Sequence, residues 1–302
     1  MNIINIETFL TIVETQSLSR ASEKLFVSQS TISTRLNTLE EELNTTLLKR
    51  QPGKKIIELT PKGEEFITIA KRWMALEKDT AMWINKEPPL RLNVGSVDSL
   101  NIYVLTPLYM DIVNNIASFS IDISSHSSVQ VFDLLESHDI DIGLTSRLIR
   151  SNSLLSEPIC SEEMVLVSSS RFSNYGGIIH PQDLDVTKEI FQDWGPNYQI
   201  WHDYWWDPTE PIKIAVDTAG LILRFIDIPD SWAIVPITIA HAFETVHPIK
   251  ISKLEIPPSE RVYYKIIHRY PKPSSVEPLK IFQDYLHKFI KGHPYLKEVN
   301  SP

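Results

Sequence analysis

Residues 18–43, LSRASEKLFVSQSTISTRLNTLEEEL, decide how the whole chain is read. Two apolar-periodic segments stand on either side of a break at Phe26-Val27-Ser28. Leu18, Ala21 and Leu25 fall three and four apart, and Ile32, Leu36, Leu39 and Leu43 repeat at four, three and four, a narrow apolar helix stripe. Ser28 stands where an N-cap is wanted, its hydroxyl placed to accept from the free N–H groups of the first turn. Val27 before that cap and Ile32 after it make a hydrophobic staple, so the second helix starts at a defined point and angle. Stepping about 100° per residue, Ser30, Ser33, Thr34 and Asn37 face away from the stripe, and Gln29 stands at the exposed N-terminus. Short hydrogen-bonding side chains at that end suit base edges and phosphates in a major groove. A solvated helix of a helical hairpin would carry the same pattern, so the flanking sequence has to decide.

Upstream, residues 3–15 read as a helix with Ile6, Phe9, Leu10 and Val13 on its buried face, completing a three-helix core. Downstream, Gln51-Pro52-Gly53 is a turn between Thr46–Arg50 and Lys55–Leu59, a short β-wing with a basic tip. The chain as a whole is acidic, with 38 Asp and Glu against 29 Lys and Arg and a net charge of −9. Contact with nucleic acid must therefore be local, and the bases do cluster at Lys49–Lys55. Few phosphate contacts per subunit imply a requirement for more than one subunit.

Thr60 is an N-cap and Pro61 an N1 proline, so a new helix starts there. Phe66, Ile69, Trp73, Leu76, Thr80 and Trp83 alternate at three and four, a coiled-coil seam. The seam is expected to pair with an identical helix through Phe66, Ile69, Trp73, Leu76 and Trp83; packing on the chain's own C-terminal part is the alternative. Pro88-Pro89 closes the helix.

Strands and helices alternate after that. The first unit has strands at Leu90–Val94, Phe119–Ile123 and Ile140–Leu144, an order that calls for a parallel sheet with right-handed crossovers. A second unit begins near residue 161, with strands near Met164–Val167, Ile212–Val216 and Trp232–Val235. Strand Val262–His268 leads back to the first unit, and a final helix starts at Pro278.

The run Ser17-Leu18-Ser19-Arg20-Ala21-Ser22, Ser28-Gln29, Ile32-Ser33, Leu36, Leu39-Glu40 and Leu43, followed by Leu47-Leu48-Lys49-Arg50 and Leu59-Thr60-Pro61-Lys62-Gly63, resembles the LysR-type transcriptional regulators almost position by position. His138-Asp139-Ile140-Asp141-Ile142-Gly143-Leu144 and Trp232-Ala233-Ile234-Val235-Pro236 look like that family's later landmarks. The resemblance implies an all-α winged helix-turn-helix over residues 1–60, a linker and dimerisation helix over 61–88, and an α/β two-lobed, periplasmic-binding-protein-like effector domain over 89–302. Lobe 1 is expected at about 89–160 and 269–302, and lobe 2 at about 161–268. It also implies DNA contact by Ser28, Gln29, Ser30, Ser33, Thr34 and Asn37 on the helix and by Arg50, Lys54 and Lys55 on the wing.

In open α/β sheets ligands bind beyond the carboxyl ends of strands. Those ends offer Ser96, Asp98 and Ser99, then Ser127 and Ser128, then Thr145, with Trp194, Thr218 and Pro236 across the cleft. These are the expected effector-binding residues. The cluster Trp201, Tyr204, Trp205 and Trp206 suits stacking on a ligand, a lobe core or a partner surface equally.

Other chemistries find no footing. Neither G-x-G-x-x-G nor a P-loop occurs, the nine histidines show no metal spacing, and no G-x-S-x-G elbow is present, so no cofactor, metal or catalysis is expected. A single cysteine, Cys160, excludes an intrachain disulfide and reads as a small buried hydrophobe rather than a redox sensor. No basic-then-apolar leader opens the chain and no apolar run approaches the roughly 20 residues of a membrane span, which fits a cytoplasmic protein. The expected partners are double-stranded DNA, a small-molecule effector, a second copy of the chain in a homodimer or homotetramer, and RNA polymerase. A two-lobed solute-binding protein without regulatory role is the competing reading; it has no use for residues 1–60.

Overall fold

The computed structural model describes residues 2–49, 58–84, 90–172, 175–210 and 212–299, and of 81–84 the backbone only. The head is built from α1 (Ile3–Thr15), α2 (Leu18–Lys24) and α3 (Gln29–Glu42). Each starts on a side-chain cap: Asn2 accepts from Ile4 N–H, Ser17 from Arg20 N–H, and Ser28 from Thr31 N–H at 3.2 Å. Ile6, Phe9, Ile12, Ala21, Ile32, Leu36 and Leu39 are fully buried and form one core. On α1 the deepest residues include Thr8 and Ile12, while Leu10 and Val13, expected on the buried face, are half-buried at its edge.

The wing pairs β1 (Leu48–Lys49) with β2 (Glu58–Leu59) in antiparallel register. Its expected tip, with Arg50, Lys54 and Lys55, lies outside the described residues. Thr60 Oγ1 accepts from Gly63 N–H at 2.9 Å to start α4 (Pro61–Ile84) and donates to Thr46 O at 2.7 Å. Only glycine fits at 63, because a Cβ there would stand 2.1 Å from the Leu47 carbonyl oxygen.

The first turns of α4 belong to the head. Phe66 and Ala70 lie in its core, with the Phe66 ring 5.4 Å from that of Phe9. Phe66 is thus no part of a pairing seam, because its own head covers it. Ile69, Trp73 and Leu76 keep 50%, 41% and 58% of their surface exposed. The Trp83 side chain lies outside the described atoms. The same side of α4 borders the effector domain: Ile69, Trp73, Leu76 and Asp79 line a cavity with His138 and Tyr270 to Pro273, beside the pair Lys71–Asp139 at 3.6 Å and a hydrogen bond from Ser274 to Asp79 at 3.0 Å.

The effector domain starts with β3 (Leu90–Ser96), a short α5 (Asp98–Leu100), α6 (Thr106–Asn115), β4 (Phe119–Ser125), α7 (Ser128–Glu136), β5 (Ile142–Thr145) and β6 (Leu154–Glu162). Lobe 2 then holds β7 (Met164–Ser169), β8 (Ile178–Ile179), β9 (Ile190–Gln192), α8 (Pro196–Trp205), β10 (Ile214–Val216), α9 (Ala219–Phe225), β11 (Trp232–Pro236), α10 (Ile237–Glu244) and β12 (Ile249–Leu254). The chain returns through β13 (Arg261–His268), α11 (Val276–Gly292) and β14 (Lys297–Glu298).

Lobe 1 is a six-stranded sheet in the order β14-β6-β13-β5-β3-β4. The β4-β3-β5 part is parallel, as the β-α-β-α-β order requires, and β13 and β6 add antiparallel strands. Because β13 pairs with β6 from Arg261 to His268 and with β5 from Tyr264 to Ile267, the chain re-enters lobe 1 at Arg261 and not after residue 268. Lobe 2 is mixed, in the order β11-β7-β12-β8, with the parallel β9–β10 pair attached through a bridge from Glu189 to Trp232. Among the described residues no helix is long and apolar enough to cross a membrane.

Candidate functional site: the helix face and the interlobe cleft

The stripe Ile32, Leu36 and Leu39 anchors α3 in the head core, so the opposite face is turned outward. Ser28, Gln29, Ser30, Thr34 and Asn37 are exposed and Ser33 is half-buried. The N-terminal end is pre-ordered by its own hydroxyls: Ser28 Oγ lies 2.8 Å from both Ser30 Oγ and Thr31 Oγ1, and Ser19 Oγ donates to Gln29 Oε1 at 3.3 Å. Thr34 Oγ1 returns to Ser30 O at 3.0 Å, which leaves its methyl outward. Glu40, in sequence one residue of the family-like run and given no role there, accepts from Leu47 N–H at 2.7 Å and Leu48 N–H at 3.1 Å. It ties the start of the wing to α3.

Between the lobes, the expected hydroxyls divide into two groups. Ser96 and Thr145 are fully buried, and their hydroxyls donate to Leu144 O and Arg147 O, each at 3.0 Å. Ser96 ties the end of β3 to β5, Thr145 closes the turn that follows β5, and neither is exposed. Ser127 is the N-cap of α7 in a capping box with Gln130, and Ser128 and Ser99 are nearly buried in the first turns of their helices. Pro236 is buried where α10 begins. Thr218 precedes α9 without capping it. Asp98 approaches Asp217 of lobe 2 closely enough that burial first, and that like charge second, raise its carboxyl above the ordinary range. Tyr103 bridges the lobes, its ring meeting Phe243 edge-on at 5.6 Å.

The open volume of the cleft lies nearer the crossing strands. A cavity of about 320 Å³ is bounded by Ser146 and Arg147 of lobe 1, Trp194 to Tyr198 of lobe 2, and Ser259 to Val262. Of the residues expected to bind effector, Trp194 lines it; its Nε1 donates to Ile234 O at 2.7 Å, which fixes the ring. Arg261 lines the cavity without any sequence signal, since a lone Arg in a strand carries none, and Glu162 lies buried behind it. Glu162 is fully buried at the first crossing, where its carboxylate accepts from Thr238 N–H at 2.9 Å and from the Tyr263 hydroxyl.

Two of the four cluster aromatics, Trp201 and Trp206, pack against the lobe 2 core. Their rings lie 5.6 Å apart, Trp206 sits 5.5 Å from Trp232, and Tyr204 alone of the four is fully outward. Cys160 is buried, and burial pushes its thiol up to about 12, far from a reactive thiolate.

Residues 3–64 match the family model for the bacterial regulatory helix-turn-helix protein of the lysR family, and residues 85–282 match the LysR substrate binding domain. The regulator CysL of Bacillus subtilis (strain 168) is 26% identical over 169 residues, spanning 55% of this chain and 56% of that protein. An uncharacterised regulator of Staphylococcus xylosus is 21% identical over 85% of this chain and 92% of its own length. The fold matches a full-length, cysteine-substituted OxyR of Pseudomonas aeruginosa over 100% of this chain and 99% of that one, with a TM-score of 0.68 at 15% identity. It also matches CbnR in complex with its target DNA over 96% of this chain and 100% of that one, with a TM-score of 0.68 at 19% identity. A matched helix-turn-helix head leaves no room for a plain solute-binding protein, and with both models matched the chain belongs to the LysR family of DNA-binding transcriptional regulators.

Proposed function

We propose that the chain is a cytoplasmic, homo-oligomeric regulator that reads duplex DNA with the outward face of α3 and answers to a small molecule held between its lobes. The observation that carries this reading is the division of α3: Ile32, Leu36 and Leu39 buried, Gln29, Ser30, Thr34 and Asn37 exposed in one polar strip. Base edges are read by Gln29 and Ser33, with Ser28, Ser30, Thr34 and Asn37 beside them, and phosphates are held by Arg50, Lys54 and Lys55. Ile69, Trp73 and Leu76 pair the linker helices, which supplies the second head that a weakly basic wing needs. The assembly is a dimer or a dimer of dimers, with RNA polymerase as the partner a promoter-bound regulator meets. CbnR, which shares the fold, is seen on its target DNA, and that supports the same use of α3 here.

Effector closes the lobes and shifts the population of paired heads. The test is a gel shift across salt concentrations on the DNA upstream of the coding sequence and on random DNA. A good base contact discriminates by about 1–3 kcal/mol, so Gln29→Ala should lose roughly five- to 150-fold on the specific site and little on random DNA. Equal losses on both would remove Gln29 from the reading face.

A further inference from the structure

Phe26 stands where the chain turns from α2 into α3, and two of its properties work against the fold. The first is its backbone, which has φ +54°, in the left-handed region. The turn is a Schellman motif: with Leu25 as the C-cap, Phe26 N–H bonds to Glu23 O at 3.3 Å and Val27 N–H to Ser22 O at 3.0 Å. Glycine fills the left-handed place of that motif without the Cβ penalty that phenylalanine carries, and asparagine tolerates it. The other non-glycine residues with positive φ among the described residues, Gln16, Asn44, His138 and Asp230, all have polar side chains. The second property is exposure. Phe26 is 95% exposed, more than any other large apolar residue described, and it has no place in the head core. No contact within the described chain offsets either cost.

Its position says what does. Val27 packs on the head core, which turns its neighbour Phe26 outward. Two residues on, Ser28 caps α3, so the Phe26 Cα lies at most about 7 Å from that of the cap. Ser28, Gln29 and Ser30 are exposed at the same end. When a helix enters a major groove by its N-terminal end, the bases form the floor and the turn before the helix runs along the wall. That wall is deoxyribose, whose C–H faces are the apolar surface of the backbone.

We propose that Phe26 is a DNA contact, its ring laid on the deoxyribose wall of the groove beside the bases that Gln29 meets. This rests on the reading of α3 as the helix in the groove, and it adds an apolar anchor to a strip otherwise made of hydroxyls and amides. A contact of this kind gives affinity without sequence preference and without releasing a counterion. The left-handed phenylalanine is kept for what it touches on the duplex, at a cost to the stability of the free head.

The experiment compares the full-length parent with Phe26→Gly, Phe26→Asn and Phe26→Tyr in gel shifts across salt concentrations, with melting temperatures alongside. The probes are the DNA upstream of the coding sequence and random duplex of equal length. Phe26→Asn should hold or raise the melting temperature, because the left-handed strain is relieved. The glycine and asparagine variants should lose about threefold to tenfold in affinity on both DNAs, the range of half-burying a phenylalanine ring. Their slope against salt should match the parent's, and Phe26→Tyr should bind as the parent does. p-Benzoylphenylalanine installed at position 26 should crosslink to either duplex under ultraviolet light. Parental affinity in the glycine and asparagine variants, with the parent still preferring its upstream DNA, would overturn the proposal and leave the reading of α3 standing. A lower melting temperature for Phe26→Asn would overturn it by placing the ring inside the protein, and a flattened salt slope by showing that the ring only positions α3. A loss confined to the upstream DNA would overturn the sugar contact in favour of a thymine methyl. A parent without preference for its upstream DNA would overturn both the proposal and the reading beneath it.

Discussion

Glu162 holds the first crossing strand to both lobes, and Glu162→Gln measures how much. The parent carboxylate gives one oxygen to Thr238 N–H, at the start of α10, and the other to the Tyr263 hydroxyl of β13. Glutamine keeps the shape but replaces one acceptor by an NH₂ group: its Oε1 can still accept from Thr238 N–H, while the Tyr263 hydroxyl must turn to accept from the NH₂ and its own proton loses the carboxylate. Losing a bond of this kind and stranding its partner costs about 1–3 kcal/mol. At about 2–4 °C per kcal/mol for a domain of this size, the melting temperature should fall by about 2–12 °C. The loss should depend on pH in a defined sense. Burial raises the Glu162 carboxyl in spite of its hydrogen bonds, so the folded chain holds that proton more tightly than the unfolded chain does. Its contribution is therefore full below the ordinary carboxylate value and drains away as pH rises through the raised one. Glutamine does not titrate. The gap in melting temperature between parent and variant should be widest in acid and narrow toward neutral pH, as differential scanning fluorimetry between about pH 4.5 and 8 would record. A gap that widens with pH would show that the hydrogen bonds outweigh burial and refute the reasoning.

Gly63→Ala drives a Cβ against the Leu47 carbonyl oxygen at 2.1 Å and Leu59 Cδ2 at 2.9 Å; we expect the wing and α4 to part and specific DNA affinity to fall at least tenfold, and an unchanged gel shift would mean that the junction yields without effect. Trp73→Asp combined with Leu76→Asp charges the exposed side of α4, where unpaired charge would cost an apolar pairing face several kcal/mol. Light scattering should then report monomers with unaltered circular dichroism, and an unchanged mass would place the pairing elsewhere.

What is legible in the sequence is what neighbouring residues decide by themselves. Ser28 with Val27 and Ile32 marks the start of α3, and Thr60-Pro61 the start of α4, because caps and staples act within a turn or two. The parallel β4-β3-β5 core follows from element order alone. Phe66 defeats the pattern because a three-four spacing says that a residue is buried, not which neighbour buries it; the head reaches it first. Ser96 and Thr145 mislead for a related reason, since composition reveals a hydroxyl at a strand end but not the direction of its bond. Strand β6 leaves little trace because Pro158 and two acids interrupt it; the register against β13 shifts at that point, with Tyr263 facing Cys160 and Tyr264 facing Pro158. Arg261 matters only through rings and a cavity contributed by both lobes, and no local pattern announces such a meeting.

The attachment of α4 at both ends has a mechanical consequence. Phe66 and Ala70 fuse its beginning into the head, while Lys71 and Asp79 fasten it to lobe 1 through Asp139 and Ser274. From Phe66 to Asp79 the helix rises about 20 Å, seated in the head core at its start and touching lobe 1 through Lys71 and Asp79. If an effector closes the cleft as proposed, α4 is the shaft that joins the head to lobe 1, and lobe 2 is the part with no direct tie to it among the contacts described. On that reading, closure would act on the head through what lobe 2 presents to a neighbouring subunit more than through the shaft. The spacing of two heads on DNA would then be set at subunit contacts rather than inside either chain.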